Sequence, residues 1–304
     1  MSYQLRQQEP VARGLRRLAR NQFQTSAAAL ESSPGATDGA VHDARKALKK
    51  SRAILAMIEE DDGKGLGRAR KQARSVNRRL SSLRDAEVSL KTLEQLQKRT
   101  SGAHNGRGLS GVHRKLAARK RELTLDARRA GTWQAAHRKL LELAKASERW
   151  RPADTGFDAL SPGLRATMRR GQRALTRARK TGRASDFHEW RKELKALWYQ
   201  LRLLEASDAR IRQDIRRLDR AQTWLGEDHD LAVLSGELSG DSDGAASDEV
   251  RRLLAAAERR QRQLRRKAVA SAAPLFRGRV GDHVNRLRLA WKRWRSRESE
   301  SMQV

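Results

Sequence analysis

Apolar residues return every third or fourth position along most of this chain, and basic residues occupy the opposite side of the same stretches. That period is the mark of amphipathic α-helices. Residues 4–31 place Leu5, Leu15, Leu18, Phe23 and Leu30 inside and Arg13, Arg16, Arg17 and Arg20 outside. Further helices are predicted over 41–60, 66–83, 85–100, 109–129 and 132–149. A second series covers 164–180, 184–206, 208–225, a helix led by residues 225–234, 247–271 and 274–296. The breaks SSPGATDG (32–39), DDGKG (61–65), SGAHNGRG (101–108) and SGDSDGAASD (239–248) are rich in Gly, Ser, Pro or Asp. Residues 151–163, with Pro152 and Pro162, predict a linker between a first half, residues 1–150, and a second, residues 164–304. Helix formers dominate and β-branched residues are rare. The predicted fold class is therefore all-α, as two pseudo-symmetric antiparallel helical bundles.

Two elements recur. VHDARKALKKSRAIL (41–55) and FHEWRKELKALWYQL (187–201) share the frame H-x-x-R-K-x-x-K, at a separation of 146 residues. The frame supplies His42, Arg45, Lys46 and Lys49, and again His188, Arg191, Lys192 and Lys195. Downstream, LSSLRDAEVSL (80–90) and LGEDHDLAVL (225–234) align Leu80 with Leu225, Asp85 with Asp230 and Val88 with Val233, 145 residues apart. One shared offset for two elements points to an internal duplication.

Offsets of three, four and seven put each His-Arg-Lys-Lys set on one helix face. Leu48, Leu55 and Ile58 lie opposite in the first copy, and Leu194, Leu197, Leu201 and Leu204 in the second. Each helix is expected to bury one side and hold a cationic strip outward. Arg52 extends the first strip. The second has Trp198 at that place, Tyr199 beside it on the strip, and Arg202 four residues on. A single charge run reads as a solvated face; two copies, each opened by a histidine, favour a binding surface. Asp85 and Asp230 follow what read as tight corners, so helix N-capping is expected of them, with metal binding the alternative.

Composition sharpens this picture. Of 304 residues 38% are hydrophobic and 34% charged, and the formal net charge is +31. Residues 1–150 hold 33 Lys and Arg against 15 Asp and Glu, and residues 151–304 hold 34 against 21. The excess thus belongs to the folded body rather than to a tail, and a body so charged calls for a polyanionic partner. With no cysteine, disulfides, thiolate catalysis and Cys-based zinc sites are excluded. No run of about 18 apolar residues exists, so no membrane span is expected, and the location expected is the cytoplasm. His104, His113, His137 and His283 lack a ligand-spaced partner, which argues against a metal centre. No Ser-His-Asp spacing or Gly-rich phosphate loop stands out, so neither catalysis nor a cofactor is expected. Trp133, Trp150, Trp190, Trp224, Trp291 and Trp294 fall at apolar positions and are expected in the core.

These motifs, in order and at one offset, resemble the conserved histidine α-helical domain, or CHAD, family. The resemblance covers roughly residues 10–296. It implies a non-catalytic module that binds inorganic polyphosphate through basic faces of both halves around a shared cationic groove, and a location on polyphosphate granules. The E-x-E-x-K strand of the CYTH domain often fused to it is missing here. Polyphosphate has no bases to read, so a receptor needs many cations on rigid supports. Arg offers forked donors and Lys a point charge. The residues assigned to it are the two His-Arg-Lys-Lys sets with Arg52, Tyr199 and Arg202, flanked by Arg20, Lys71, Arg169, Arg173 and Arg216. His42 and His188, with ordinary pKa values near 6.5, either touch the ligand and couple it to pH or donate one hydrogen bond across the bundle. The alternative function is general nucleic-acid binding, which the net charge suits but the scarcity of aromatic residues on the basic faces does not. Partner proteins and oligomeric state are left open.

Overall fold

The computed structural model describes residues 2–31, 38–58, 65–100, 110–150, 156–240 and 248–301. Among these residues there are eleven α-helices, three short 3-10 turns and no strand, so the all-α class read from the sequence is observed. The first six helices are α1 (Val11–Glu31), α2 (Asp38–Leu55), α3 (Gly65–Arg79), α4 (Ser81–Thr100), α5 (Ser110–Arg129) and α6 (Thr132–Ser147). The other five are α7 (Ser161–Thr181), α8 (Ala184–Arg202), α9 (Ala209–Gly240), α10 (Asp248–Ala272) and α11 (Val280–Ser301). α1 packs on α2 and α6, and α7 on α8 and α11; α4 packs on α5, and α9 on α10. The pairings of α1 with α2 and α6 and of α4 with α5 thus have counterparts in those of α7 with α8 and α11 and of α9 with α10.

Local chemistry explains several boundaries. The first helix begins at Val11, not at residue 4, because Pro10 has no N–H to continue a helix through it. Residues 3–5 instead lie across the end of α8, where the Leu5 N–H donates to the Leu203 carbonyl at 3.0 Å and Tyr3 and Leu5 are buried. Pro162 lies in the first turn of α7, where a missing N–H costs nothing. Gly182 ends it at φ 67°, a left-handed conformation that glycine adopts freely. The turn to α8 is tight. The Thr181 hydroxyl bonds Asp186 at 2.7 Å and accepts the Arg183 N–H at 3.2 Å.

The two expected corners differ. α3 and α4 are separated by Leu80 alone, whereas α9 runs unbroken for 32 residues through the whole of 225–234. Neither Asp85 nor Asp230 is a helix cap: Asp85 is the fifth residue of α4, and Asp230 lies deep within α9. Gly226 weakens a helix interior by about 1 kcal/mol, too little to end one that is packed along its length. The acids beside it bind α9 to its neighbour. Asp228, 1% exposed, meets Arg265 of α10 at 2.7 Å, and the Gln261 amide donates to the Asp228 carbonyl at 3.1 Å.

Apolar residues from both sequence halves enter one main cluster, running from Tyr3 through Phe23, Leu48, Leu164, Trp190 and Leu218 to Trp291. A second, smaller cluster joins Leu93 and Leu96 of α4 and Leu116 of α5 to Leu231, Leu234 and Leu238 of α9 and Leu253 and Leu264 of α10. Trp133, Trp150, Trp190 and Trp291 are buried, and Trp224 and Trp294 pack partly buried against these clusters. The start of α7 is set tightly on the segment after α2. A Cβ on Gly163 would fall 2.4 Å from the Met57 Cα and 2.5 Å from the Ala56 carbonyl oxygen. Backbone cannot rotate away as a side chain can, so Gly163→Ala must part the two segments. A loss of about 1–3 kcal/mol is expected, the usual cost of overpacking. Urea unfolding of the variant beside wild type measures it, and an unchanged midpoint would contradict the close contact.

Candidate functional site

The two cationic strips converge. α2 packs directly against α8, while α4 packs on both α2 and α9, so the two recurring elements enclose one region. Each strip has its apolar residues inside: Leu48 and Ile54 on α2, Leu194 and Leu197 on α8 are buried to 2% or less. Burying those rows leaves Arg45, Lys49, Arg191 and Lys195 directed at one another's surroundings. Arg45 is 9% exposed and donates to the Asn77 carbonyl at 3.3 Å. Arg191 lies against α9, where a Cβ on Gly226 would come 3.2 Å from one Nη, and its buried Nε has no hydrogen-bond partner. Glycine at 226 thus makes room for Arg191.

Ionisation reports the crowding. Burial, then Lys195, Arg45 and Arg191, hold the Lys49 ammonium down to about 7. Burial, then Arg191, with Lys46 and Arg45 adding to it, hold Lys195 down to about 8 against a pull from Asp219. Like charges in a half-dry environment disfavour one another's charged forms, and here the offenders come from both helices. The two strips therefore face one region.

The corner residues complete it. The His188 and His229 rings stack with centroids 3.8 Å apart and planes tilted by 30°. Burial and the neighbouring cations hold His188 down to about 4 and His229 to about 3, so both rings are neutral at pH 7. His42 is lowered too, by burial and then by Arg84, the residue that stands in α4 where His229 stands in α9. The pH coupling that the sequence assigns to histidines accordingly moves to Lys49 and Lys195. Asp85 and Asp230 face the same cluster. Burial raises both carboxyls, while Arg45 and Lys49 pull Asp85 down and Arg191 and Arg84 pull Asp230 down. Asp85 keeps an exposed edge, and the mass of surrounding helix still raises it. They are counter-charges to the strip rather than caps. Among the described residues no group of three or more His, Asp or Glu could hold a metal ion.

The remaining expected residues divide. Arg52 is half-buried, with Arg74 its cationic neighbour. Lys46 and Lys192 are exposed at the rim, and Lys192 shares its charge with Glu189 at 2.6 Å. Tyr199 is a core residue, 2% exposed and edge-on to Tyr3, with no surface for a ligand; burial pushes its hydroxyl up to about 12. Arg202 lies over the Trp198 ring at 4.9 Å. Arg20 sits on the outer surface, paired with Glu148 at 3.1 Å. Lys71, Arg169, Arg173 and Arg216 are exposed and are not among the groups that most shift Lys49 or Lys195. The structure adds Arg84, His229, Asp85 and Asp230. The constant separation of 145 had already marked the two aspartates and places Arg84 opposite His229.

The lysine shifts carry a sign. An unfolded lysine titrates near 10.5, so above pH 7 the unfolded chain binds more protons than the folded one. Stability contributed by these groups therefore rises with pH from about 7 toward 10. The Lys49→Met and Lys195→Met variants should lose that rise, and melting temperatures across pH 6–10 for wild type and variants check it. Parallel profiles would mean that the two ammonium groups are not crowded.

Comparison with known proteins agrees with this architecture. A crystal structure of the CHAD domain from the plant Ricinus communis superposes with a TM-score of 0.59 at 17% identity, covering 91% of this chain and 95% of that one. A comparison with curated protein sequences finds no match. The CHAD domain family matches residues 9–239, which include both His-Arg-Lys-Lys frames and both downstream elements. The chain therefore belongs to the CHAD domain family.

Proposed function

We propose that the protein binds inorganic polyphosphate, without turnover, along a single trough between α2 and α8, and that this binding places it on polyphosphate granules. The observation that carries the reading is the convergence of the two strips, where burial first and then the neighbouring cations of both helices lower the Lys49 and Lys195 ammonium groups. A close-set line of phosphates relieves that repulsion. A chain without bases needs no stacking platform, and Trp198 and Tyr199 on α8 are packed against one another at 4.7 Å. Cations fixed on packed helices lose little entropy when the ligand arrives. Asp85 and Asp230 temper the site: they reduce the cost of holding the cations together and weaken the grip on any polyanion.

One trough has a stoichiometric consequence. Replacing Arg45, Lys46 and Lys49 by Ala, or Arg191, Lys192 and Lys195, should each reduce long-chain affinity at least about 100-fold, because charge-assisted contacts are worth roughly 1.5–3 kcal/mol apiece when shielded. Calorimetry with a short, defined polyphosphate should give one site in wild type. Two equivalent sites, halved by either triple variant, would refute the shared trough. In the same buffer, polyphosphate should displace duplex and single-stranded DNA; DNA binding as tightly would favour the nucleic-acid reading.

The counter-charge role predicts opposite signs for two measurements on one variant. Asp85→Asn removes a repulsion felt by the ligand, so affinity for polyphosphate should rise several-fold at fixed salt. It also removes an attraction felt by Arg45 and Lys49, so the melting temperature of the free protein should fall by a few degrees. A variant that binds more weakly would show that Asp85 orients the cations instead of merely offsetting them.

A further inference from the structure

Beside the trough, α4, α9 and α10 enclose a cavity of about 310 Å³ whose inner wall is Arg191. That volume lies at the small end of ligand pockets. Its charges are mixed: Arg99, Arg191 and Arg260 stand with Glu227 and Asp230. On the outer side Glu227 takes a forked pair from Arg260 at 2.8 and 3.0 Å and a third contact from Arg99 at 2.8 Å, so those three groups satisfy one another. On the inner side Arg191, with its unpartnered Nε, faces the cavity together with Asp230. Between the two sides stand neutral donors and acceptors, Thr92, Gln95, Gln222 and Thr223.

We propose, building on the polyphosphate reading, that this cavity binds a terminal phosphate group, one that still carries a proton. Interior units of a polyphosphate chain are strong acids and keep no proton at neutral pH, so a carboxylate in the wall only repels them. A terminal group has a second ionisation near 6, as a phosphate monoester does, and at neutral pH can keep one P–OH. That P–OH donates to the Asp230 carboxylate while another oxygen of the same group accepts from Arg191. With Glu227 taken up by Arg260 and Arg99, the Asp230 carboxylate is the one left to select a chain end over a chain interior. Burial raises the Asp230 carboxyl, which suits it to share a proton with the ligand. Arg191 belongs to both regions, so a chain lying in the trough can turn its last unit into the cavity.

The source of the group is a chain end or free orthophosphate, and the test separates them. Pyrophosphate, which has two ends and no interior, and orthophosphate are titrated calorimetrically into the full-length protein at pH 7. Gln95 and Thr223 are exposed at the cavity and serve as mutation sites that leave the core alone. Thr223→Trp, which fills the cavity, and Gln95→Glu, which adds a second unpaired carboxylate, should each weaken pyrophosphate at least about tenfold, the loss of roughly one charge-assisted contact. Both should bind long polyphosphate with capped ends as wild type does. Long chains with free ends binding wild type more tightly than chains capped as phosphoramidates assign the cavity to chain ends. Equal binding of the two, with orthophosphate lost in Thr223→Trp, assigns it to the free ion. Pyrophosphate that fails to bind, or binds both variants like wild type, overturns the proposal. Pyrophosphate bound in the cavity while long chains fail to bind wild type would sink the trough reading alone.

Discussion

Repulsion between half-buried cations is the constraint that the rest of this structure answers to. Arg45 and Lys49 on one helix and Arg191 and Lys195 on another are brought together where water is scarce, and both lysines lose much of their ordinary basicity. Nothing in that arrangement favours folding. It persists because the opposite faces of the same helices are buried leucines, and burial of each is worth about 1.5–3 kcal/mol. The apolar core thus holds the site in a geometry that its own charges oppose.

Rigid neighbours make that possible. α9 is one long helix rather than two, clamped to α10 by the pairs of Glu227 with Arg260 and Asp228 with Arg265. It carries Asp219, Gly226, His229 and Asp230 to the site in fixed register. Gly163 lets the start of α7 touch the backbone after α2, tying the second half of the chain to the first. The aromatic groups serve the same end: Trp198, Tyr199 and Tyr3 pack together, and Arg202 covers Trp198.

The distribution of carboxylates sets the charge balance of this region. Many of the acids elsewhere are committed to surface pairs such as Arg20 with Glu148, which contribute little. Asp85 and Asp230 are instead set among uncompensated cations, and near enough to each other that Asp85 raises the Asp230 carboxyl. A purely cationic trough would grip any polyanion. One with a fixed, partial counter-charge is less strongly self-repelling when empty and more sensitive to the charge and protonation of what enters.

The sequence by itself determined the helical class, the apolar and basic faces, and the identity of most strip residues, because a 3.6-residue period records which side chains share a face. It also marked Asp85 and Asp230 as a pair through their common offset. It could not say what they do, since a carboxylate near the start of a helix reads as a cap unless the groups facing it are known. Nor could it show that 225–234 is helix interior. The reason for glycine at 226 shows only in the packing, where Arg191 lies against it. Tyr199 and Arg20 have the spacing of site residues and are removed only by packing, one into the core and the other onto Glu148. The meeting of two strips 146 residues apart in the chain is a long-range fact, set by how α2, α4, α8 and α9 pack, and local pattern has no term for it.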